Sequence, residues 1–389
     1  MRNRWGILAL LFTVRLTMAF QFQTVAAIAP LLKTQFGMGI ADIGFLIGLY
    51  FTPGVVLALP GGAVGKWLGD KRATLVALAL MLAGSLAMAF GEHWGWQIAG
   101  RLIGGAGGVL LNVQLTKMVT DWFAGKEIAT AMAVFVNSWP AGIALSLLIL
   151  PSIGTSYGVH AVHLFIVAQA AIGIALILLY PPPPREIATA ASSAPLDLRT
   201  IMAVLVAGVI WGLFNVGFAM AFSFGPTLLV ERGWSIAQAG SVISIGLWLS
   251  VFSIPFGGFV ADRSKRPQVV LVLGALALAV LMFCFAHTGA VILSMIAMGL
   301  VGGQPAGPMM SLPARVLSPA TRTIGMGMFY TVYYGTMMVG PIIGGAAAKW
   351  EGSAAAAFDF GAIAVMACPV MLWAFNAITA ARARVQVAA

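Results

Sequence analysis

Long apolar stretches recur along the whole chain and are separated by short polar loops. A helix needs about 20 apolar residues to cross the hydrocarbon core of a bilayer, whereas a membrane barrel shows alternating segments of about ten residues. The continuous apolar runs therefore predict an all-α membrane protein with twelve transmembrane helices, called spans 1 to 12 below. They cover residues 5–30, 42–65, 73–90, 95–117, 127–151, 158–180, 200–224, 236–260, 268–287, 290–314, 323–347 and 355–379.

Composition supports a membrane protein and excludes several other classes. Hydrophobic residues make up 61% of the chain and charged residues only 8%, against about 25% charged in soluble domains. Cys284 and Cys368 both fall inside apolar spans, so we expect packing rather than a disulfide. We find no metal-ligand cluster, nucleotide loop, nucleophile constellation or soluble domain in the sequence. An enzyme, a bound metal and a cofactor are therefore not expected.

The basic residues are distributed unevenly between the loops. If the N-terminus is cytoplasmic, sixteen Lys and Arg residues lie on the cytoplasmic side, and only Lys33, Arg232 and Lys349 lie on the other side. This asymmetry follows the positive-inside rule. It predicts a multi-pass protein in the lipid bilayer of the bacterial inner membrane, with both termini in the cytoplasm. The net charge of +10 is thereby assigned to topology, and nucleic acid is not expected as a partner.

The two halves of the chain repeat each other at an offset of 196 residues. Parallel repeats of this kind are typical of transporters with a pseudo-two-fold axis along the membrane normal. We predict an N-terminal six-helix bundle over 1–180, a cytoplasmic linker over 181–199 that begins with four prolines, and a C-terminal six-helix bundle over 200–389. The matching positions include Pro30, Gly37, Gly44 and Gly61, with the counterparts Pro226, Gly233, Gly240 and Gly257.

The loop after span 8 contains a charged motif. Its sequence is GFVADRSKR, with Asp262 and Arg263 at its centre. The motif resembles the G-x-x-x-D-R loop of the major facilitator superfamily, and the likeness extends over nearly the whole chain. In the loop after span 2, Lys66 stands where that aspartate is expected, and Asp70 follows one turn later. The resemblance implies the major facilitator fold and a gating role for Asp262 and Arg263, with Asp70 as a candidate substitute.

Span 4 contains a second pattern of the same kind, which begins at Arg101 and continues LIGGAGG. It resembles the R-x-x-x-G-x-G signature that is often associated with proton-coupled members of the superfamily. Arg101 is therefore a candidate for gating or coupling, and close helix packing is the alternative role of the glycines. Arg101 lies one to two turns from Trp94 and Trp96, so its side chain is expected to reach interfacial water.

One further cation lies in the middle of span 1. Arg15 is ten residues from Trp5, or about 15 Å along a helix, which places it near the midplane of the bilayer. A charge at that depth costs at least ~2.5 kcal/mol and must face protein or water. No acidic residue lies at a comparable depth. We therefore predict that an anionic substrate is the partner of Arg15, because a guanidinium binds carboxylate-like groups bidentately.

The resemblance also implies that spans 1, 4, 7 and 10, with 2, 5, 8 and 11, line a central site. The polar and aromatic residues at depth on these spans are the candidates for substrate binding. The competing interpretation is that they make hydrogen bonds between helices. Gln304 precedes Pro305, which predicts a broken helix. Besides Arg15, the candidates are Gln23, Asn112, Asn137, Trp211, Asn215, Gln304, Tyr330, Tyr333 and Tyr334.

These observations predict a secondary transporter for a small inorganic or organic anion, working by alternating access. The span 1 arginine and the QFQTVAAIAPLL stretch resemble bacterial anion permeases of the cyanate and nitrate/nitrite type, although the glycine-rich nitrate signature is absent. The alternatives are a drug or metabolite exporter of the same fold and, from another class, a membrane sensor.

The acidic residues bear on coupling. Of the eleven Asp and Glu residues only Asp359 lies clearly within a span, so proton coupling would have to use the substrate, a tyrosine or a histidine. His160 and His163, at the start of span 6, are expected at the interface. The coupling partner is left open between a proton and a counter-anion, and a monomer is expected.

Overall fold

The computed structural model describes residues 4–58, 60–123, 128–181, 196–318 and 321–388. Nearly all of these residues are helical. The predicted linker falls mostly outside the described residues, and so the domain boundaries stay predictions. The helices are Arg4–Ala27, Ala29–Phe36, Ile40–Leu49, Thr52–Leu57, Gly61–Leu68, Asp70–Phe90, Trp94–Phe123, Ile128–Val136, Ser138–Leu178, Leu198–Glu231, Ile236–Ser264, Pro267–His287, Val291–Gly302, Ala306–Met310, Arg322–Glu351 and Ala355–Ala388.

The described helices account for twelve crossings. Ten stretches are long and apolar enough to span a bilayer. One of them, Val134–Leu178, contains 45 residues and changes direction at Gly158, whose φ of 82° lies outside the helical region. It therefore contains spans 5 and 6. Arg322–Glu351, with 30 residues, is long enough for span 11, and the prediction of an all-helical protein with twelve spans is confirmed.

Proline residues interrupt several spans at the depth of the membrane. Span 10 is divided into Val291–Gly302 and Ala306–Met310 around Pro305, which confirms the predicted break. Span 5 is interrupted at Asn137, three residues before Pro140. A proline has no N–H and cannot donate to the carbonyl four residues earlier. Each break therefore leaves backbone carbonyls that need another partner.

Hydrogen bonds at the helix ends define two sides of the molecule. The Nζ of Lys71 donates to the carbonyl oxygens of Leu178, at 2.7 Å, and Tyr180, at 3.0 Å. This contact places the start of span 3 and the end of span 6 on one side, here called the loop side. In the second half, Gln268 and Asn376 make the corresponding contact at 3.1 Å. The opposite end is called the far side.

The two halves pack closely on the far side through glycines that the repeat relates to each other. A Cβ atom added to Gly44 would lie 2.4 Å from the carbonyl oxygen of Pro341, and one added to Gly240 would lie 2.2 Å from that of Leu147. Both distances are too short for any side chain, and small residues are what allow helices to approach so closely. The pseudo-two-fold relation inferred from the sequence is thus present in the packing.

Buried apolar side chains form two clusters in the described residues. The larger one joins both halves and includes Phe22 and Phe222. The smaller one belongs to the first half alone and lies toward the loop side, with Leu8, Phe123 and Ile177 among its members. The first half therefore contributes its far-side residues to a core that it shares with the second half, and it has a separate core near the loops.

Accessibility of single cysteines will test the topology. Trp67, on the loop side, is 84% exposed, and Tyr157, beside the turn at Gly158, is 78% exposed. With Cys284 and Cys368 replaced by alanine, we expect Tyr157→Cys to react with a membrane-impermeant maleimide in intact cells. Trp67→Cys should react only after the cells are opened, because the basic loops stay inside.

Reaction of both positions from outside would contradict the twelve-span model. The cysteine-free protein is the control for labelling that does not depend on the introduced thiols.

Candidate functional site

Arg15 is buried between spans 1, 4 and 5, with its side chain only 9% exposed. Its Nε and Nη2 atoms donate to the same acceptor, Oδ1 of Asn112, at 3.2 and 3.0 Å. This edge of the guanidinium is one of those that bind a carboxylate bidentately. In the structure the amide oxygen of Asn112 lies where one oxygen of such a carboxylate would lie.

The break in span 5 provides the other acceptors for Arg15. Its Nη1 donates to the carbonyl oxygens of Phe135, at 3.1 Å, and Val136, at 3.3 Å, and to Oγ of Ser138 at 3.3 Å. Pro140 lies four residues after Val136, and because a proline has no N–H the Val136 carbonyl has no helical partner. The local sequence thus creates the acceptor that Arg15 uses.

The positive charge of Arg15 is surrounded by neutral groups. In the described part of the chain, no carboxylate lies within ion-pair distance of the guanidinium. The aromatic ring of Phe135 lies under it, 4.6 Å from the guanidinium carbon to the ring centroid. A cation over a ring gains some electrostatic stabilisation, but no negative charge balances this cation.

The Arg15 site extends into the second half of the chain through Asn112. The Nδ2 of Asn112 donates to the hydroxyl of Tyr334 at 3.3 Å. The Tyr334 ring packs directly against Gly54, where an added Cβ would lie 2.4 Å from the ring. The hydroxyls of Tyr330 and Tyr333 also lie within electrostatic range of Arg15. Of the candidates, the structure brings together Arg15, Asn112 and the three tyrosines.

Trp211 joins the same group through Tyr333, with the two ring centroids 6.3 Å apart.

Four other candidates make their polar contacts elsewhere. They stay predictions as substrate ligands. Gln23 donates to the Phe222 carbonyl, Asn137 to the Val251 carbonyl, Asn215 to the Trp211 carbonyl of its own helix, and Gln304, in the break of span 10, to the Leu300 carbonyl.

The sequence predicts that Arg101 and His163 lie at the membrane interface. In the structure both are buried. Arg101 is 1% exposed and His163 is 1% exposed. Instead of snorkelling, the Arg101 side chain turns inward, donates to the carbonyl oxygens of Leu46, at 3.0 Å, and Gln21, at 2.8 Å, and lies 4.6 Å from the Tyr50 ring centroid. Two of the guanidinium N–H groups thus donate to backbone carbonyl oxygens inside the protein, and not to water at the membrane interface. The predicted coupling role of Arg101 stays a prediction.

Sequence comparison decides the family. A model of the Major Facilitator Superfamily matches residues 11–303 and 216–386. The chain belongs to the major facilitator superfamily. The xylose transporter XylE of Escherichia coli, solved in an inward-open conformation, has the same fold, with a TM-score of 0.80, 14% sequence identity and 96% coverage of each chain.

Two relatives illustrate the range of similar sequences. An uncharacterized MFS-type transporter of Mycobacterium tuberculosis, MT3072, is 25% identical over 288 residues, which cover 72% of this chain and 63% of the relative. The cyanate transport protein CynX of Escherichia coli is 22% identical over 272 residues, which cover 69% of this chain and 70% of that protein. The matched region therefore covers less than two thirds of the length of MT3072.

The superfamily loops differ between the two halves. Asp70 binds Lys117 of the same half, with Oδ2 2.5 Å from Nζ, and Lys117 also contacts Asp121 at 2.9 Å. Asp262 and Arg263 are exposed at the loop-side end of span 8, and their side chains bind no other described residue. The Lys66 side chain lies outside the described residues. Asp70 thus contacts its own half, and the gating roles of all three residues stay predictions.

The backbone around Arg15 contributes more than the sequence predicts. The predicted candidates are all side chains, and they do not include the carbonyls of Phe135 and Val136, which accept from Arg15. A signal was available in Pro140, because a proline in a span frees the carbonyl four residues earlier. Phe51 was also missed, and its ring lies 6.2 Å from that of Tyr334. Nothing in the local sequence distinguishes Phe51 from a lipid-facing phenylalanine.

The two loop aspartates should respond differently to neutralisation. Asp262→Asn should impair transport strongly and leave membrane insertion intact, because only Asp262 keeps the superfamily position. Asp70→Asn removes a partly exposed ion pair, which contributes about 0–1 kcal/mol to stability, and should affect transport less. The measurement is uptake into proteoliposomes, with melting temperature as the control. Equal loss of uptake in both variants would show that Asp70 has taken over the gating role.

Proposed function

We propose that this chain is a secondary transporter that carries a small anion across the membrane by alternating access. The observation that supports an anion is Arg15, a cation at mid-depth whose five hydrogen bonds all go to neutral acceptors. An uncompensated charge in a low-dielectric region is unfavourable. An anion beside Arg15 removes that penalty, and the same penalty is restored when the anion leaves.

The connection from Arg15 to the second half supports alternating access. Asn112 connects Arg15 to Tyr334 of the second half. An anion that replaces the Asn112 oxygen at Arg15 leaves the Asn112 amide free to turn toward the ligand. Ligand contacts from both halves then favour a conformation in which the halves close around it, which is how a substrate shifts a two-state equilibrium.

The packing of the halves supports an inward-facing state. The shared core and the Gly44 and Gly240 contacts close the far side, and the first half has a separate core toward the loops. With the basic loops in the cytoplasm, the protein is in an inward-facing state in the bacterial inner membrane. The similarity to CynX, named as a cyanate transport protein, supports the anion class without defining the substrate.

A drug or metabolite exporter of the same fold is the second candidate. The aromatic rings next to Arg15 favour it, since they offer apolar contact area to an organic ligand. A neutral or cationic drug would leave Arg15 without its counter-charge, and we therefore prefer an anion. The coupling ion and the monomeric state stay predictions from the sequence.

Substitution of Arg15 will test the proposed function. A ligand that binds only the folded protein raises its melting temperature. Cyanate, nitrate or a small carboxylate should raise the melting temperature of the purified wild-type protein and leave that of Arg15→Gln unchanged. Arg15→Lys keeps the charge but loses the planar fork, and should give a reduced shift.

The control is Arg232→Gln, the same chemical change at an arginine that binds the Phe285 carbonyl on the far side, and it should keep the full shift. Without ligand, Arg15→Gln should be at least as stable as the wild type, because an uncompensated buried charge is removed. Undiminished anion binding by Arg15→Gln would end the proposal.

A further inference from the structure

Aromatic side chains form a continuous group beside Arg15. Three of the six tyrosines of the chain, Tyr330, Tyr333 and Tyr334, lie within five residues of span 11. The centroid distances are 6.3 Å for Tyr330–Tyr333 and 5.0 Å for Tyr333–Tyr334. Trp211 continues the group from Tyr333 at 6.3 Å. All these distances fall in the range of favourable aromatic pairs.

The rings differ in how far they are covered. Arg15 and Tyr334 are almost completely buried, whereas Trp211, Tyr330 and Tyr333 are only half-buried. The Tyr333 ring also lies 6.5 Å from Phe51 of the first half, so this partly open aromatic surface is at the boundary between the halves. It therefore adjoins the region where the proposed anion binds.

The repeat makes the site chemically unequal on its two sides. At the offset of 196 residues, Arg15 corresponds to Trp211. In span 4, where Gly104 matches Gly302, Asn112 corresponds to Met310. Pseudo-two-fold symmetry places corresponding positions on opposite sides of the axis. In the second half, an indole and a thioether therefore occupy the positions that correspond to the charged and polar pair of the first half.

We propose that the substrate is an aromatic carboxylate, whose carboxylate binds Arg15 and whose ring lies against Trp211 and Tyr333. The inference rests on the proposed anion transport and specifies its substrate class. A carboxylate uses the Nε and Nη2 edge that Asn112 occupies in the structure, and a ring gains contact with aromatic faces of the opposite half.

A compact inorganic anion is a poorer match for the whole site. It needs the guanidinium and nearby donors, which Arg15, Asn112 and Tyr334 provide. It makes no use of the partly exposed rings of Trp211 and Tyr333. An aromatic carboxylate has its charge at one end and its flat apolar surface at the other, in the order in which the site presents them.

Two ligands of equal charge and similar size will test ring recognition in the purified full-length protein. Benzoate and cyclohexanecarboxylate differ in having a flat aromatic or a puckered saturated ring. We expect benzoate to bind about two- to twelve-fold more tightly, the factor that an aromatic pair contributes. Trp211→Leu should remove this preference and weaken benzoate binding more than nitrate binding. Trp211→Phe should keep the preference, and Trp350→Leu, at a position 89% exposed, is the matched control.

The outcomes separate this inference from the proposed function. Nitrate or cyanate binding that depends on Arg15, without benzoate binding, would overturn the aromatic class and leave anion transport standing. Equal affinity for benzoate and cyclohexanecarboxylate, or equal weakening of nitrate and benzoate by Trp211→Leu, would also overturn it. If no anion binds, or if Arg15→Gln binds benzoate unchanged, both proposals fail. Should the Trp211 variants not fold, the ligand pair on the wild-type protein decides.

Discussion

A charge inside a bilayer must find its partners in the protein or in water, and this constraint organises the centre of the molecule. Arg15 lies beside the break in span 5 and donates to the Val136 carbonyl that the break leaves free. The break depends on Pro140, which cannot donate to that carbonyl. Asn112 then completes the coordination from span 4. The guanidinium of span 1 thereby makes hydrogen bonds to both span 4 and span 5.

The lipid environment also determines how the two halves pack together. Apolar surface is no reason for two helices to associate when lipid is equally apolar, so close backbone approach becomes the source of stability. Gly44 and Gly240 supply it at equivalent positions, each against a carbonyl of the other half. These contacts depend on the close fit of the backbones. Such an interface fits the proposed alternating access.

Much of the fold was predictable because its signals are local. Span lengths follow from hydrophobic runs, and the break at Pro305 follows from the missing N–H. The candidate site was predictable only in part. Arg15, Asn112 and the span 11 tyrosines were identified from charge, depth and residue type. The inward turn of Arg101 was not, because it depends on carbonyls of Leu46 and Gln21, whose availability is decided by how distant spans pack.

The duplication also shows how a symmetric scaffold acquires a directional site. The packing positions stay alike in both halves, as with Gly44 and Gly240, since each serves the same helix contact. The central positions diverge, with Arg15 and Asn112 in one half and Trp211 and Met310 in the other. Two symmetric guanidiniums would repel each other across the axis in a low dielectric. Retaining one cation and placing apolar groups at the corresponding positions avoids that repulsion, and it gives the proposed anion a single orientation relative to the two halves.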